Sequence, residues 1–244
     1  MEKQEYSQMN QLEKNNWWYI GMRAITKAYV KPFLPKHKLQ ILDAGCGTGA
    51  NMKLLQRYGT VQGIDISDEA LSFCRKKNLS VSKASIENIP FPAASFDLIT
   101  SFDVIYHKSI KDDTVVLRQM NRVLRERGLL LIRVAAFDFL YGDRDRLVHT
   151  ARRYTKKQLI KKLKQAGFKI EAISYVNFFL FPLAVLARTW ERLRHTEIPQ
   201  SDLAKTPGWL NSFLKNILYL EAFLLKYTTL PFGVSIVCVA RKRN

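Results

Sequence analysis

The chain has 244 residues and a formal net charge of +18. It is long enough for one domain with a sizeable insertion, and its charge calls for nucleic acid, an anionic membrane or an acidic substrate as partner. The few, widely spaced cysteines, the histidines without an i, i+4 pair and the charged N-terminus without an apolar h-region predict a cytoplasmic protein with no zinc or other metal site and no secretory signal.

The first predicted element is a helix within residues 1–38. Apolar residues recur at roughly helical spacing from Leu12 to Val30 and stop before Pro32, which is typical of an amphipathic helix. The aromatic cluster Trp17–Tyr19 lies inside it. Packing of these rings on the edge of a sheet is one interpretation, and covering of a ligand is the other.

A glycine-rich stretch, Ile41–Gly49, follows. An apolar pair and an acid precede three glycines that alternate with small residues, a pattern that predicts a strand turning sharply into a helix whose N-terminus receives a ligand. Gly45, Gly47 and Ala50 also satisfy the dinucleotide fingerprint, and Asp65 lies twenty residues after Gly45, where an acid that binds a ribose is expected. Two kinds of cofactor therefore compete, a nicotinamide or flavin dinucleotide and S-adenosylmethionine.

Asp43 separates these two cofactors. It stands at the end of the first predicted strand, directly before the glycines. A doubly negative pyrophosphate would be repelled by a carboxylate there. The ammonium and sulfonium of S-adenosylmethionine would be attracted to it, so the residue favours S-adenosylmethionine.

Further strands alternate with helices along the chain. A helix is predicted over Ser67–Lys77 with Ser67 as its N-cap, and another over Lys156–Ala166 with Thr155 as its cap. This alternation predicts a parallel sheet with helices on both faces and a ligand at the carboxyl ends of the strands. The predicted strands after the first are Val61–Asp65, Leu79–Lys83, Phe96–Phe102, Leu129–Ala136, Phe168–Val176 and Val234–Ala240.

Four motifs in the correct order give a family resemblance. The sequence D-A-G-C-G-T-G at 43–49 closely resembles the first motif of class I S-adenosylmethionine-dependent methyltransferases of the type 11-like branch. The segments 85–91, 95–107 and 121–128 resemble the family's later motifs. Two positions depart from the pattern, since Ser85 replaces an acid that binds the adenine amino group and Tyr106 replaces a glutamate.

The resemblance implies S-adenosylmethionine as the cofactor. It also implies a doubly wound, seven-stranded, mostly parallel sheet of the Rossmann-like methyltransferase type, with an N-terminal helix and a helical insertion between strands six and seven. In similar proteins N-terminal aromatic residues and an arginine cover the cofactor, which makes residues 1–38 a lid. The expected cofactor-binding residues are Tyr19, Arg23, Asp43, Gly45, Cys46, Gly47, Gly49, Asp65, Ile66, Ser85, Ile86 and Phe102.

The expected catalytic residues are His107, His149 and Tyr154. An oxygen acceptor must lose its proton, and a histidine near the end of strand four or in the loop after strand five is the natural base. In one branch of the family this loop carries a motif similar to Arg152–Thr155 and lines the acceptor pocket. The alternatives are a neutral histidine packed in its loop and a solvated basic turn at 152–153.

Charge and apolar residues concentrate in the C-terminal third. Residues 142–170 contain ten basic and two acidic residues, a net of +8, and residues 172–187 carry no charge. Two helices, Phe178–Arg194 and Trp209–Tyr227, are predicted there, joined by a polar stretch with Pro199 and Pro207. We predict a lid at 1–38, a core of 39–176 and 231–244, and a helical cap at 177–230. The cap either only encloses the acceptor or also touches an anionic membrane.

The predicted function is S-adenosylmethionine-dependent methyl transfer to a small hydrophobic, lipid-linked or glycan-linked acceptor, with oxygen favoured. Peripheral attachment to the cytoplasmic membrane face follows from the charge and the aromatic residues of the cap. Two alternatives stay open. An RNA methyltransferase would use the positive charge on phosphates, although Thr100–Asp103 lacks the motif of base-amine methylation. A non-catalytic scaffold that binds the cofactor would fit the departures at Ser85 and Tyr106.

Overall fold

A computed structural model describes residues 3–194 and 206–243. The central sheet has seven strands in the order β3-β2-β1-β4-β5-β7-β6. The strands are β1 (Leu39–Ala44), β2 (Gly59–Asp65), β3 (Val81–Lys83), β4 (Phe96–Phe102), β5 (Leu124–Ala135), β6 (Phe168–Val176) and β7 (Ser235–Lys242).

Nine helices occur in the described part of the chain. They are α1 (Lys3–Leu12), α2 (Trp17–Val30), α3 (Ala50–Leu55), α4 (Asp68–Lys76), α5 (Asp113–Val123), α6 (Asp143–Leu147), α7 (Lys156–Gln165), α8 (Phe181–Arg194) and α9 (Gly208–Leu224).

The predicted doubly wound, mostly parallel sheet is confirmed. Strands β1 to β5 pair in parallel, and β7 lies antiparallel between β5 and β6. The strand order reverses at β1 and β4, so the cleft at their carboxyl ends is where this fold receives a ligand. Helices bury both faces of the sheet. Helices α5 and α7 pack on one face, and α2, α4 and α9 pack on the other.

The N-terminal segment differs from the predicted single helix. It forms two helices, α1 and α2, and the Asn16 side chain caps the second by accepting the Trp18 N–H. A turn at residues 13–15 separates the two helices. Helix α2 then packs on the sheet, with Met22, Ile25 and Val30 buried.

Helices α2 and α9 pack directly on each other. A Cβ on Gly21 would lie 2.2 Å from Leu218 Cδ1, so only glycine permits this approach. The Trp17 N–H donates to Asn211 Oδ1 at 2.8 Å, and Asn211 Nδ2 donates to the Asn15 carbonyl at 3.0 Å. Residues at the two ends of the sequence therefore form one wall over the sheet.

Strand β5 begins five residues earlier than predicted, at Leu124 rather than Leu129. Leu124 pairs with Phe96, and the register between β4 and β5 shifts before Leu98 pairs with Leu129. Arg127, with φ of 59°, provides the irregular backbone between the two paired parts. The insertion contains α8 and α9 between β6 and β7, as predicted; the predicted polar linker around Pro199 lies outside the described residues.

Candidate active site

A cavity of about 770 Å³ opens at the carboxyl ends of β1, β2 and β4. Its wall continues from the glycine loop after β1, under α1 and α2, to the inner face of α8. Cavities of this size in proteins hold drug-sized ligands. The cavity is therefore large enough for a nucleoside cofactor together with a second molecule.

The glycine loop forms the floor of the cavity. Gly45 and Gly47 have φ of 84° and 52° and line the cavity with Cys46. A Cβ on Gly45 would lie 2.4 Å from Val104 Cγ2, so a side chain would collide there as well as strain the backbone. Gly49 has φ of 86° and begins α3, but it lies away from the cavity wall and against Leu79. Its role here is therefore to turn the backbone.

Asp65, at the end of β2, connects the loop to the next helix. Its carboxylate accepts the Gly47 N–H at 2.9 Å and the Ser67 N–H at 3.0 Å. Burial raises its pKa, although these N–H groups act in the opposite direction. The neighbouring Ile66 is 49% exposed on the cavity wall. An oriented carboxylate beside an open apolar surface suits a ribose with its attached base.

Asp43 lies beneath the loop rather than on the cavity wall. The side chain is 1% exposed, and Oδ1 accepts the Thr100 hydroxyl at 2.7 Å. Oδ2 is buried and has no hydrogen-bond partner within the described residues. Burial raises the pKa of Asp43 to about 7. A buried carboxylate oxygen left unpaired in this place fits a cofactor that brings positive charge.

The residues expected beside the adenine of the cofactor also line the cavity. Ser85, Ile86 and Phe102 line the cavity. The Ser85 hydroxyl accepts the Glu87 N–H at 3.1 Å, and the Glu87 carboxylate accepts the Lys111 N–H at 3.0 Å. Glu87 is thus turned toward Lys111, and Ser85 is the polar side chain of this segment that faces the cavity.

The N-terminal helices cover the cavity and are fastened to the glycine loop. Tyr19 and Arg23 line the cavity, and Arg23 Nη2 donates to the Glu13 carbonyl at 2.6 Å. The buried Glu13 carboxylate accepts the Thr48 hydroxyl and lies 3.4 Å from Lys77 Nζ. Glu13 was not predicted as a site residue, because a single acid in a polar segment carries no distinguishing pattern.

His107 lies on the cavity wall, next to His149. The two ring centroids are 5.8 Å apart, but His149 does not itself line the cavity. His107 Nδ1 accepts the Ser109 N–H at 3.1 Å and lies 2.8 Å from the Ser109 hydroxyl, which also faces the cavity. Burial lowers the pKa of His107 to about 4, so the ring is neutral at physiological pH.

Tyr154 is placed away from the cavity, contrary to the prediction that it is catalytic. It is 2% exposed, and its hydroxyl donates to Asp113 Oδ2 at 2.6 Å. Burial together with this carboxylate raises the pKa of Tyr154. Residues 153 and 154 are in extended backbone beside β5, so their side chains point to opposite sides. Arg153 therefore faces the cavity, and Tyr154 faces the core.

Several arginines line the cavity between the end of β5 and helices α6 and α8. Arg133 binds Asp103 Oδ2 at 2.5 and 2.9 Å, and Arg153 binds Asp145 at 2.8 and 3.1 Å. Sequence reasoning did not single out Arg133, but a charge inside the apolar run Leu129–Ala136 was a signal for it. The apolar side of the cavity is formed by Leu180, Leu183, Ala184, Ala187 and Leu214.

Residues 3–194 and 206–243 contain no group of three or more His, Cys, Asp and Glu side chains able to hold a metal ion. In the same ranges, no helix has the length and the apolar character needed to cross a membrane.

Comparison with known proteins agrees with this geometry. Residues 42–132 match the family model described as a methyltransferase domain. An uncharacterised protein of Methanocaldococcus jannaschii is 38% identical over 164 residues, which cover 66% of this chain and 54% of that protein. A Mycobacterium tuberculosis protein named a probable S-adenosylmethionine-dependent methyltransferase is 31% identical over 124 residues, covering 50% and 43%. The chain thus spans about half the length of these curated relatives.

A solved structure shares the fold. Phosphoethanolamine N-methyltransferase 2 of Haemonchus contortus, in complex with S-adenosyl-L-methionine, superposes with a TM-score of 0.63 at 19% identity. The match covers 100% of this chain and 58% of that one. The glycine loop, the oriented Asp65 and the unpaired oxygen of Asp43 fit the same cofactor. Residues 42–132 of this chain thus form a methyltransferase domain, and the chain is similar to S-adenosylmethionine-dependent methyltransferases of class I.

Proposed function

We propose that this chain transfers the methyl group of S-adenosylmethionine to an oxygen of a small acceptor that is hydrophobic or linked to a lipid or glycan. One observation carries the proposal. A single cavity joins the glycine loop and Asp65 at one end to the apolar wall of α8 at the other. A cofactor and an apolar acceptor would lie in line in this space, which is what a displacement at a methyl group needs.

The residues of the cofactor end have separable tasks. When bound, S-adenosylmethionine supplies a methyl group on a positively charged sulfur. Asp65 would accept hydrogen bonds from the ribose hydroxyls, and Gly45 and Gly47 let the ligand approach the backbone. Tyr19 and Arg23 on α2 cover the cavity and exclude water.

His107 and Ser109 support oxygen as the methylated atom. A hydroxyl acceptor has to lose its proton, and two side chains that line the cavity, His107 and Ser109, lie 2.8 Å apart from Nδ1 to Oγ. In this proposal the acceptor proton moves to Ser109 Oγ as the Ser109 proton moves to His107 Nδ1. The low pKa of His107 keeps the ring in its neutral, proton-accepting form at pH 7.

Methyl transfer into extracts tests this function directly. The protein is incubated with S-adenosylmethionine carrying a labelled methyl group, together with a cell lipid extract or with total RNA. We expect label in the organic phase, in a product heavier by one methylene and methylated on oxygen. Label in RNA alone would favour the RNA methyltransferase. Cofactor binding without transfer to either extract would favour the non-catalytic scaffold.

The outer faces of α8 and α9 support attachment to an anionic membrane at its cytoplasmic face. On α8, Leu186, Trp190 and Leu193 recur at helical spacing and are 57–67% exposed. On α9, Trp209 and Phe213 are 74% and 58% exposed. Exposed aromatic and aliphatic side chains at helical spacing in a chain with a net charge of +18 are typical of interfacial helices. Because α8 also lines the cavity, an acceptor held in the membrane would have a short path to it.

Cosedimentation with vesicles is the measurement for this attachment. We expect the wild type to bind phosphatidylglycerol vesicles at low salt, and to bind them much less at high salt or when the vesicles are neutral, since each basic residue near the surface contributes about 1 kcal/mol. The double variants L186E/W190E and W209E/F213E should each lose most of this binding. V115E, at a 38% exposed valine of α5, is the matched control. Wild-type protein that ignores anionic vesicles at low salt would refute the attachment.

A further inference from the structure

Arg144 occupies a distinct electrostatic position in the cavity. It lies in the first turn of the short helix α6, where the Asp145 carboxylate accepts the Gly142 N–H at 2.9 Å and fixes the start of the helix. Its side chain lines the acceptor end of the cavity. The backbone that carries it is thus held in place, and the guanidinium faces the ligand space.

The other arginines at this end are neutralised. Arg133 pairs with Asp103, Arg153 with Asp145, and Arg188 with Glu191. Arg144 takes part in no ion pair within residues 3–194 and 206–243. Its Nη1 is buried and has no hydrogen-bond partner there. A buried guanidinium nitrogen without a hydrogen-bond acceptor is unfavourable unless a bound ligand supplies that acceptor.

A second unpartnered donor lies beside it. The Tyr19 hydroxyl is buried, and its proton has no acceptor within the described residues. Burial raises the pKa of Tyr19, and the Arg144 guanidinium beside it lowers this pKa through its charge and as a hydrogen-bond donor to the Tyr19 oxygen. Two donors from different parts of the chain therefore face one place in the cavity, and an acceptor-only group would satisfy both.

We propose that Arg144 and Tyr19 bind an anionic group, a phosphate or a carboxylate, on the methyl acceptor. The inference rests on the proposed function and narrows its substrate to an anionic amphiphile. A guanidinium presents its donors in a planar fork that matches these groups. The apolar remainder of the acceptor lies along Leu180, Leu183 and Leu214 on the facing wall. The carboxylate of the cofactor is the alternative ligand for Arg144 and Tyr19. The experiment below distinguishes it from an anionic group on the acceptor.

Calorimetry with simple amphiphiles tests the site. The protein is first saturated with S-adenosylhomocysteine, so that the cofactor's carboxylate is already bound, and is then titrated with n-octyl phosphate, octanoate or 1-octanol. We expect wild type to bind one of the two anions at least tenfold more tightly than the alcohol. The preferred anion distinguishes a phosphate from a carboxylate acceptor.

The variants assign this preference to Arg144. R144Q is expected to lose at least tenfold in affinity for the preferred anion while its affinity for 1-octanol is unchanged. R144K should retain part of the preference, and Y19F should lose a few-fold. R146Q removes an equal charge from the same helix, at a side chain that is 53% exposed, and should behave as wild type. Thermal melts of each variant show whether it is folded.

Three results would overturn the proposal. The first is equal wild-type affinity for the anions and for 1-octanol. The second is an R144Q variant that keeps anion affinity but binds S-adenosylhomocysteine at least tenfold more weakly, because Arg144 would then serve the cofactor. The third is methyl transfer by R144Q at the wild-type rate and KM. Anion binding that depends on Arg144 in a protein that methylates nothing would instead refute the proposed function alone.

Discussion

Replacing Asp65 by alanine is expected to weaken S-adenosylmethionine binding by about 100-fold or more. Its carboxylate would accept charge-assisted hydrogen bonds from the ribose, and each such bond contributes roughly 1.5–3 kcal/mol. The same carboxylate accepts the Gly47 and Ser67 N–H groups, so alanine also leaves the loop without its anchor. Isothermal titration calorimetry of the wild type and D65A measures the loss.

Two further variants separate binding from stability. D65N keeps an oxygen that can accept one loop N–H, so we expect it to lie between wild type and D65A in affinity. D68A removes an acid three residues later, whose side chain is 70% exposed and paired with Lys83 at the surface, and should bind the cofactor as wild type does. A D65A variant with wild-type affinity would remove Asp65 from the cofactor site.

Replacing His107 by alanine is expected to lower kcat by about 10²–10⁴-fold while cofactor affinity is retained. The reason is that His107 would take the proton that leaves an oxygen acceptor, whereas Gly45, Gly47 and Asp65 are the residues expected to hold the cofactor. Single-turnover rates with the acceptor identified from the extract provide the measurement. S109A should also lower kcat, but by less than H107A, because it removes only the hydroxyl that relays the proton to His107.

The pH profile distinguishes a base from a residue that only supports the loop. Burial lowers the pKa of His107 to about 4, and a base works in its unprotonated form. We therefore expect kcat/KM to be flat from about pH 5.5 to neutrality and to fall below about pH 4 in wild type, with no such limb in H107A. If H107A turns over at the wild-type rate, His107 has no part in proton transfer. His149, next to it, is then the residue to replace.

The sequence by itself determined the cofactor end of this protein. A strand, three glycines with left-handed backbone and a following helix depend mainly on neighbouring residues. The pattern Ile41–Gly49 therefore predicts them without knowledge of any tertiary contact. Asp65 was also predictable, because the carboxyl ends of neighbouring parallel strands must meet at one edge of the sheet. The family resemblance implied Ile66, Ser85 and Phe102 as further cofactor-binding residues, and the structure has them on the cavity wall.

The acceptor end was decided by tertiary structure. Arg152, Arg153 and Arg144 are indistinguishable in sequence from a solvated basic segment, and Tyr154 was predicted to be catalytic. The pairing of residue 154 with β5 sends the tyrosine into the core and Arg153 to the cavity. Successive side chains of an extended segment point to opposite sides. Which side is buried depends on the strand with which the segment pairs.

Long-range contacts also decided which charges are neutralised. Glu13 meets Thr48 and Lys77 from 35 and 64 residues away, and Arg133 meets Asp103 across two strands. These pairs depend on how helices and strands pack, so no periodic pattern in the sequence predicts them. Within residues 3–194 and 206–243, the same packing leaves Arg144 Nη1 and the proton of the Tyr19 hydroxyl buried without an acceptor. The sequence therefore determined the fold and the cofactor, whereas the tertiary structure selected the side chains that face the acceptor, because burial and pairing of a charge are properties of the packed chain.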